Sequence, residues 1–204
     1  YSGFSIISGD VIKTWRSVNK EQGVPDKVVG NLPYNSANKI ILDFLRDRFS
    51  PKVLVFLVQK EAAFRLTAKP GTKQYSSFSV LGRISFKIRL ESVINPGSFY
   101  PAPDVRSALI SLEPRYPAMS EKKWGFFTAF TKQLFSSRRK TIRNNLPKLK
   151  GLELSKEKGF EQRLEKQMEE IDILPSMRAE ELQPEQVLSL SNIYYRTIEE
   201  RSDK

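Results

Sequence analysis

The six consecutive apolar residues from Val53 to Val58 constrain the fold more than any other part of the sequence. An apolar run of this length, without alternating polar residues, is typical of a β-strand that is buried on both faces. Pro51 precedes the run and marks the loop from which the strand would start. Strands of this kind occur where helices cover a parallel sheet, so the run predicts an α/β fold.

Shorter patterns before this run predict two more strands and a helix. Phe4 to Ile7 is an apolar stretch that ends in Ser8-Gly9-Asp10, as a strand does when it leads into a loop. Val28 to Gly30 has the composition of a second short strand. A helix is expected after it, because apolar residues recur at spacings of three and four. These residues are Ala37, Ile40, Ile41, Phe44 and Leu45.

The sequence after Val58 predicts two helices and then a hairpin-like pair of strands. The helices are expected over 59–66 and 78–84, with a loop at 68–76 between them. Apolar and charged residues alternate from Phe86 to Glu91, and Val105 to Leu112 has the pattern of the last strand. Repeated strand and helix units that end in such a pair agree with the α/β class.

The last part of the sequence predicts helices alone. A boundary is expected near Pro114 to Pro117, so residues 1–116 would hold the sheet and residues 117–204 a small all-helical domain. Apolar residues at helical spacing form three stripes in the second part. The stripes are Trp124, Phe127, Phe130 and Leu134; Phe160, Leu164, Met168 and Ile171; and Val187, Leu190, Tyr194 and Ile198, with Pro184 in the first turn of the last helix.

The charge and the missing residue types narrow the chemistry. The chain has a formal net charge of +11, which favours a polyanionic partner such as a nucleic acid. It contains no Cys and no His, which excludes disulfides, thiolate or imidazole metal sites, and any pair of a nucleophile with an imidazole base. No apolar stretch is long enough to span a bilayer and no secretory signal opens the sequence, so we expect a cytoplasmic protein without a membrane partner.

The run Gly30-Asn31-Leu32-Pro33-Tyr34-Asn35 follows a predicted strand, at the edge of the sheet where open α/β folds bind ligands. Pro33 fixes its own φ angle and disfavours a helical conformation of the preceding residue. We therefore expect backbone carbonyls in this turn to remain free to accept hydrogen bonds from a ligand. The side-chain oxygen of Asn31 and one such carbonyl could accept both hydrogens of an exocyclic amine, while Tyr34 offers a face for a base to stack on.

Such a site suits methyl transfer to a purine amine. The lone pair of that nitrogen is delocalised into the ring, and two acceptors that hold its hydrogens favour a pyramidal, more nucleophilic nitrogen. Positioning and aligned dipoles would then supply most of the reduction of the barrier. Taken alone, the same four residues could equally form a surface turn with an exposed aromatic, because short motifs often match by chance.

The sequence resembles the KsgA-type rRNA adenine dimethyltransferases over nearly its whole length. In that family the motif Asn-Leu-Pro-Tyr follows the fourth strand, and four further segments resemble family signatures in the same order. They are Gln59-Lys60-Glu61 with Arg65; Pro96 to Pro103 with Val105 and Ser107; Arg138-Arg139-Lys140-Thr141-Ile142-Arg143-Asn144; and Met177-Arg178-Ala179-Glu180.

This resemblance implies a Rossmann-like methyltransferase domain that uses S-adenosylmethionine as methyl donor, without a metal. Asn31, Leu32, Pro33 and Tyr34 would hold the target adenine, and Phe99 would close on its other face, an arrangement that suits a flipped base. Asp10 and Asn31 would contact the cofactor, with Asp10 accepting a hydrogen bond from its adenine amine. From composition alone, Phe99 fits an ordinary core residue and Asp10 a turn or cap residue.

A basic segment extends from Lys132 to Lys150 and contains no acidic residue. Arg139 and Arg143 would share a helical face, beside Arg138, and could follow successive phosphates of an RNA. A solvated helix face is the alternative, but like charges without acidic partners repel one another and favour an outside counter-charge. Lys60 and Arg65 are expected near the RNA entrance. The basic residues are Lys132, Arg138, Arg139, Lys140, Arg143, Lys148 and Lys150.

The family's glycine-rich cofactor loop and the acidic residue that holds the ribose have no counterpart in this sequence. We therefore expect the chain to bind S-adenosylmethionine weakly or not at all by itself. The resemblance implies that the protein dimethylates two adjacent adenines of 16S rRNA in the small ribosomal subunit, and we expect it to be a monomer. Two alternatives stay open, namely an Erm-type enzyme that acts on 23S rRNA and a non-catalytic RNA-binding factor in ribosome assembly.

Overall fold

A computed structural model describes residues 3, 5–146 and 160–202 of the chain. Strands and helices alternate in its first half, and helices follow in the second. The elements are α1 (Val11–Gln22), β1 (Lys27–Asn31), α2 (Ala37–Arg46), β2 (Val53–Gln59), α3 (Lys60–Thr67), α4 (Ser77–Ser85), β3 (Phe86–Ile94), β4 (Ser107–Pro114), α5 (Glu121–Leu134), α6 (Ile142–Asn145), α7 (Phe160–Glu169) and α8 (Pro184–Ser202), with short 3₁₀ turns at Pro96–Ser98 and Ala179–Glu181.

The four strands form one mixed sheet in the order β1-β2-β4-β3. β1 and β2 run parallel, as the apolar run predicted, and Gly30 lies opposite Phe56. β4 lies between β2 and β3 and is antiparallel to both. The fold is therefore the predicted α/β class, but the hairpin-like pair of strands makes two of the sheet's pairings antiparallel.

The apolar strand β2 lies inside this sheet. Leu54, Phe56 and Val58 are fully buried, whereas the residues between them are half-buried. The helix α2 packs its predicted face into the same core, and each of the five residues predicted for that face is buried. The ring of Phe44 lies 6.3 Å from that of Phe56 and 5.1 Å from that of Trp15. Side chains of α1, α2 and β2 therefore pack together in one core.

The strand predicted at Phe4 to Ile7 is wrong for the residues that the structure describes. Ser5 to Ser8 form no strand, Ile6 is 82% exposed, and Phe4 lies outside the described residues. A strand requires a neighbour that pairs with its backbone, and no described strand pairs with this segment. Asp10, predicted at the strand's end, instead begins α1 as its N-cap, with its side chain accepting from the backbone N–H of Ile12 at 2.9 Å.

The predicted stripes of the C-terminal helices are largely buried. Trp124, Phe127, Phe130 and Leu134 of α5 all lie in the core, and the ring of Phe130 lies 5.4 Å from that of Tyr194 in α8. Ile171 and Ile198 are half-buried at the ends of their stripes, and the side chain of Phe160 lies outside the description. Pro184 begins α8, as expected for a proline in a first turn.

The chain divides into two compact units. We call Tyr1–Ala63 with Phe86–Arg115 the sheet unit, and Phe64–Ser85 with Tyr116–Lys204 the helical unit. The last boundary between the two units lies between Arg115 and Tyr116. The assignment of Phe64–Ser85 to the helical unit was not predicted, and it follows from the packing of α4 against α5 and α8. None of the described helices has the length and apolar character needed to cross a membrane.

Candidate active site

The motif Asn31 to Tyr34 forms the turn between β1 and α2. The backbone N–H of Leu32 donates to the carbonyl of Leu57 at 3.0 Å, which continues the pairing of β1 with β2 by one residue. Pro33 has no N–H to extend this pairing. Its carbonyl accepts from the backbone N–H groups of Ser36 at 3.0 Å and Ala37 at 2.9 Å, where α2 begins. The turn is therefore fixed at both ends.

The structure corrects which backbone carbonyl of this turn can accept from a ligand. From the sequence we expected the backbone carbonyls of this turn to be free to accept hydrogen bonds. The carbonyl of Pro33 instead accepts from backbone N–H groups where α2 begins. Within the described chain, the carbonyl of Leu32 accepts no hydrogen bond. The side-chain oxygen of Asn31 and the carbonyl of Leu32 are therefore two acceptors that this turn can offer.

A cavity of about 460 Å³ lies against this turn and brings the motif together with Phe99. Tyr34 and Phe99 both line it, although they lie far apart in the sequence. Two aromatic rings in one cavity can contact a planar base through its faces. Its lining comprises Asn31, Leu32, Pro33, Tyr34, Phe99, Tyr100, Pro101 and Pro103.

Two residues near this cavity had no role in the sequence interpretation. Ser107 is fully buried at the start of β4, and its hydroxyl lies 2.6 Å from the hydroxyl of the half-buried Tyr34. The sequence showed Ser107 only as one letter of a longer signature. Tyr100 is fully exposed and lines the cavity beside Phe99. The sequence indicated Tyr100 only as an aromatic residue in a proline-rich loop.

A second cavity, of about 610 Å³, shares Asn31, Leu32 and Pro33 with the first. Asp10 lines it, together with apolar side chains that include Ile40. Gly30 also lines it, and a Cβ there would lie only 3.1 Å from Leu32 and 3.2 Å from Phe56. The tight packing explains the glycine at this position.

The lining of the second cavity fits the adenosine part of a cofactor. Asp10 is exposed and uses its Oδ1 atom to cap α1. No described residue donates to its Oδ2 atom, which can accept from an exocyclic amine. The apolar residues Val28 and Ile40 suit the faces of a purine ring.

The family model for ribosomal RNA adenine dimethylases matches residues 4–196. The chain belongs to the ribosomal RNA adenine dimethylase family. Relatives in this family share substantial identity with it. A protein of Treponema denticola named "Ribosomal RNA small subunit methyltransferase A" is 36% identical over 190 residues, which are 93% of this chain and 63% of that protein. A protein of the same name from a Geobacillus species is 38% identical over 199 residues, 94% of this chain and 66% of its own.

This member of the dimethylase family thus spans slightly less than two thirds of the length of these relatives. Two solved structures share its fold. A dimethyladenosine transferase from Plasmodium falciparum has a TM-score of 0.70 at 22% identity, over 85% of this chain and 67% of that one. The 23S rRNA methyltransferase ErmE has a TM-score of 0.61 at 21% identity, over 82% of this chain and 64% of that one.

The basic residues predicted to bind RNA lie in three places. Lys60 begins α3 and Arg65 lies in its last turn, and both are half-buried. Arg138, Arg139 and Lys140 are exposed and precede α6. Arg143 lies within α6, whereas Lys148 and Lys150 lie outside the described residues.

The helical face predicted for Arg139 and Arg143 is wrong. Residues 138–140 form a turn and a bend, Thr141 forms an isolated bridge with Arg178, and α6 covers only Ile142–Asn145. The backbone N–H of Ile142 donates to the carbonyl of Met177 at 2.8 Å, and that of Arg143 donates to Pro175 at 3.1 Å. These two N–H groups therefore donate to carbonyls of a segment that is distant in the sequence, and not to carbonyls of a preceding helical turn.

Two arginines of the basic segment have acidic partners from elsewhere in the helical unit. Arg138 donates to the carboxylate of Glu180 at 2.7 and 2.9 Å, and Arg143 pairs with Glu165. The counter-charge that the sequence led us to expect from outside is thus supplied partly by the protein itself. Among the residues with a described position, no group of three or more acidic side chains is arranged to hold a metal ion.

Proposed function

We propose that this chain carries the adenine site of a methyltransferase that uses S-adenosylmethionine to dimethylate N6 of two adjacent adenines in 16S rRNA. Membership of the dimethylase family and the names of its relatives support this function. One observation carries it: Asn31, Leu32 and Pro33 form a wall common to two cavities, one lined by Tyr34 and Phe99 and the other by Asp10. A target adenine on one side would face a methyl donor on the other.

In this proposal the target amine is activated by position. The Asn31 side-chain oxygen and the Leu32 carbonyl accept its two hydrogens, so the lone pair on nitrogen turns out of the purine plane. Tyr34 and Phe99 hold the ring between their faces. No carboxylate is found among the described residues that line this cavity. Orientation and hydrogen-bond dipoles, and not a general base, therefore supply the catalytic effect.

The second cavity would hold the methyl donor. When bound, S-adenosylmethionine would supply a methyl carbon that is electrophilic without a metal, because its positively charged sulfur would leave as a neutral thioether when the C–S bond breaks. Asp10 would accept a hydrogen bond from the adenine amine of this cofactor while it caps α1, and Asn31 would contact the cofactor as well as the substrate. Both residues line the same cavity.

The relatives and the charge support the proposed substrate. Proteins named for the small ribosomal subunit are 36–38% identical over at least 93% of this chain, whereas the likeness to ErmE concerns the fold. A net charge of +11 suits an RNA partner. We propose that the protein acts as a monomer on small subunits in the cytoplasm, where ribosomes are assembled.

The test requires the chain preceded by a segment with the family's glycine-rich cofactor loop. Methyl incorporation would be measured in a single turnover on small subunits that lack adenine dimethylation, with large subunits as a second substrate. We expect Asn31→Ala to slow transfer by about a hundredfold, the size of effect found when one positioned hydrogen-bonding group is removed. Asn31→Asp keeps an acceptor oxygen and should retain more activity.

Normal turnover by Asn31→Ala would contradict the proposed mechanism. Small-subunit binding without any methyl incorporation would instead identify an assembly factor, and incorporation into large subunits alone would identify an Erm-type enzyme. Thermal unfolding of each variant controls for the fold, because Asn31 is exposed and its replacement should leave the core intact.

A further inference from the structure

The helical unit contains a second basic segment beside the one already described. Phe64–Ser85 has no acidic residue, and its basic residues are Arg65, Lys69, Lys73 and Arg83. Residues 68–76, which we call the basic loop, carry Lys69 and Lys73, and both side chains are exposed. In the sequence this loop is separated from Arg138 by more than sixty residues.

Arg138 joins the two segments. Its guanidinium donates to the backbone carbonyl of Lys73 at 2.5 Å and to that of Thr72 at 3.4 Å, while it also binds the carboxylate of Glu180. A planar guanidinium with several N–H groups can satisfy these acceptors together, as an ammonium cannot. The guanidinium of Arg138 therefore donates its hydrogen bonds within the protein. Arg139 and Lys140, the next two residues, are exposed.

The basic loop is held in one conformation by further bonds. Pro70 and Gly71 form a tight turn in which Gly71 has a φ of +78°, and the N–H of Thr72 donates to the carbonyl of Lys69 at 3.3 Å. The N–H of Gly71 donates to the carbonyl of Glu180 at 2.7 Å. At the end of the loop the buried Tyr75 donates its hydroxyl to the carbonyl of Leu182 at 2.8 Å.

We propose that the basic loop is an RNA backbone-binding element, in which Lys69 and Lys73 contact phosphates and Arg138 positions the loop beside Arg139. The proposal rests on the proposed rRNA substrate and adds to it a surface that the sequence interpretation did not include. A fixed loop contributes more to binding than a flexible one, because less conformational entropy is lost in the complex. Of the acidic residues near the loop, Glu180 is paired with Arg138, and the carboxylate of Glu181 accepts from the backbone N–H of Arg178.

The test measures binding of the 204-residue chain to undermethylated small ribosomal subunits over a range of salt concentrations. The variant is Lys69→Ala with Lys73→Ala. The matched control is Lys20→Ala with Lys27→Ala, which removes the same charge from two exposed lysines of the sheet unit. If each loop lysine contacts one phosphate, the slope of log affinity against log salt should fall by about 1.5 in magnitude. Affinity at low salt should fall by at least tenfold, with the control unchanged.

Equal binding by the loop variant and the control would overturn this proposal and leave the proposed function standing. Absence of binding by the unaltered chain would overturn both. Neither lysine side chain takes part in a hydrogen bond or ion pair within the described residues, so the variant should unfold at the same temperature as the unaltered chain. This comparison separates loss of RNA contact from loss of structure.

Discussion

The hydroxyl of Tyr34 and the hydroxyl of Ser107 lie 2.6 Å apart and tie the turn after β1 to the first residue of β4. Ser107 is fully buried, so it is a fixed partner for the aromatic ring that lines the first cavity. A single hydrogen bond can thus determine the orientation of a ring on which a base would stack. This makes Ser107 a positioning residue for the proposed reaction.

We expect Ser107→Ala to lower kcat for methyl transfer about tenfold, equivalent to about 1.4 kcal/mol of barrier, with little change in KM for small subunits. The matched control is Ser111→Ala. Ser111 also belongs to β4 and binds Glu91, but it does not line the cavity. Each change should cost about 1 kcal/mol of stability by loss of a hydrogen bond. Equal transfer rates in the two variants would contradict the positioning role.

Asp10 has two functions that substitution can separate. Asp10→Ala removes both the cap of α1 and the carboxylate of the second cavity, whereas Asp10→Ser retains a capping oxygen but shortens the side chain. We expect Asp10→Ala to cost about 1 kcal/mol of stability and Asp10→Ser only a few tenths. Both should weaken binding of S-adenosylmethionine, as measured by calorimetry on the chain with its preceding cofactor segment. Normal affinity of Asp10→Ser for S-adenosylmethionine would contradict a role in cofactor binding and would show that Asp10 only caps α1.

Stability at low pH should depend on Asp43, which links α2 to α1. Burial alone raises the pKa of Asp43, but hydrogen bonds from Arg16 and Trp15 and the charges of Arg16 and Arg46 outweigh it and lower this pKa below its ordinary value. The guanidinium of Arg16 lies 2.8 Å from the carboxylate, and the indole N–H of Trp15 lies 2.9 Å from it.

A carboxylate with a lowered pKa in the folded state stabilises the fold above its unfolded pKa of about 3.9, and this stability is lost as the pH falls through the folded value. We therefore expect the melting temperature to fall as the pH is lowered below about 4, and Asp43→Asn to weaken that dependence. Asp26→Asn is the control, because Asp26 forms an exposed pair with Lys52 at 3.1 Å. A similar acid response in all three proteins would contradict the assignment.

The role of Arg138 in holding the basic loop can be tested apart from its charge. Arg138→Lys keeps the charge but cannot reach Glu180 and the two loop carbonyls with the same geometry. We expect faster amide hydrogen exchange at Gly71 and Tyr75, whose N–H groups are hydrogen-bonded in or beside the loop. Arg139→Lys is the matched control at the next residue. Unchanged exchange in Arg138→Lys would show that the other bonds suffice to hold the loop.

Short-range patterns predicted most elements because they depend on neighbouring residues. The apolar run at Val53 to Val58, the spacing of Ile40, Ile41 and Phe44, and the turn at Pro33 each carry their structural preference in a few residues. The resemblance to a known family then supplied the proposed roles of Phe99 and Asp10. Those roles remain predictions, although the structure brings each residue to a cavity beside the motif.

The sequence by itself therefore determined the α/β class, most of the helices and strands, and the position of the motif Asn31 to Tyr34. Only the tertiary structure decided that the Pro33 carbonyl accepts hydrogen bonds from the start of α2, that Tyr34 is hydrogen-bonded to Ser107, and that Arg138 binds Glu180. The physical reason is that these contacts join groups brought together by the fold. No local periodicity encodes them, and a side chain such as Arg138 can pair with any acceptor that packing places within reach.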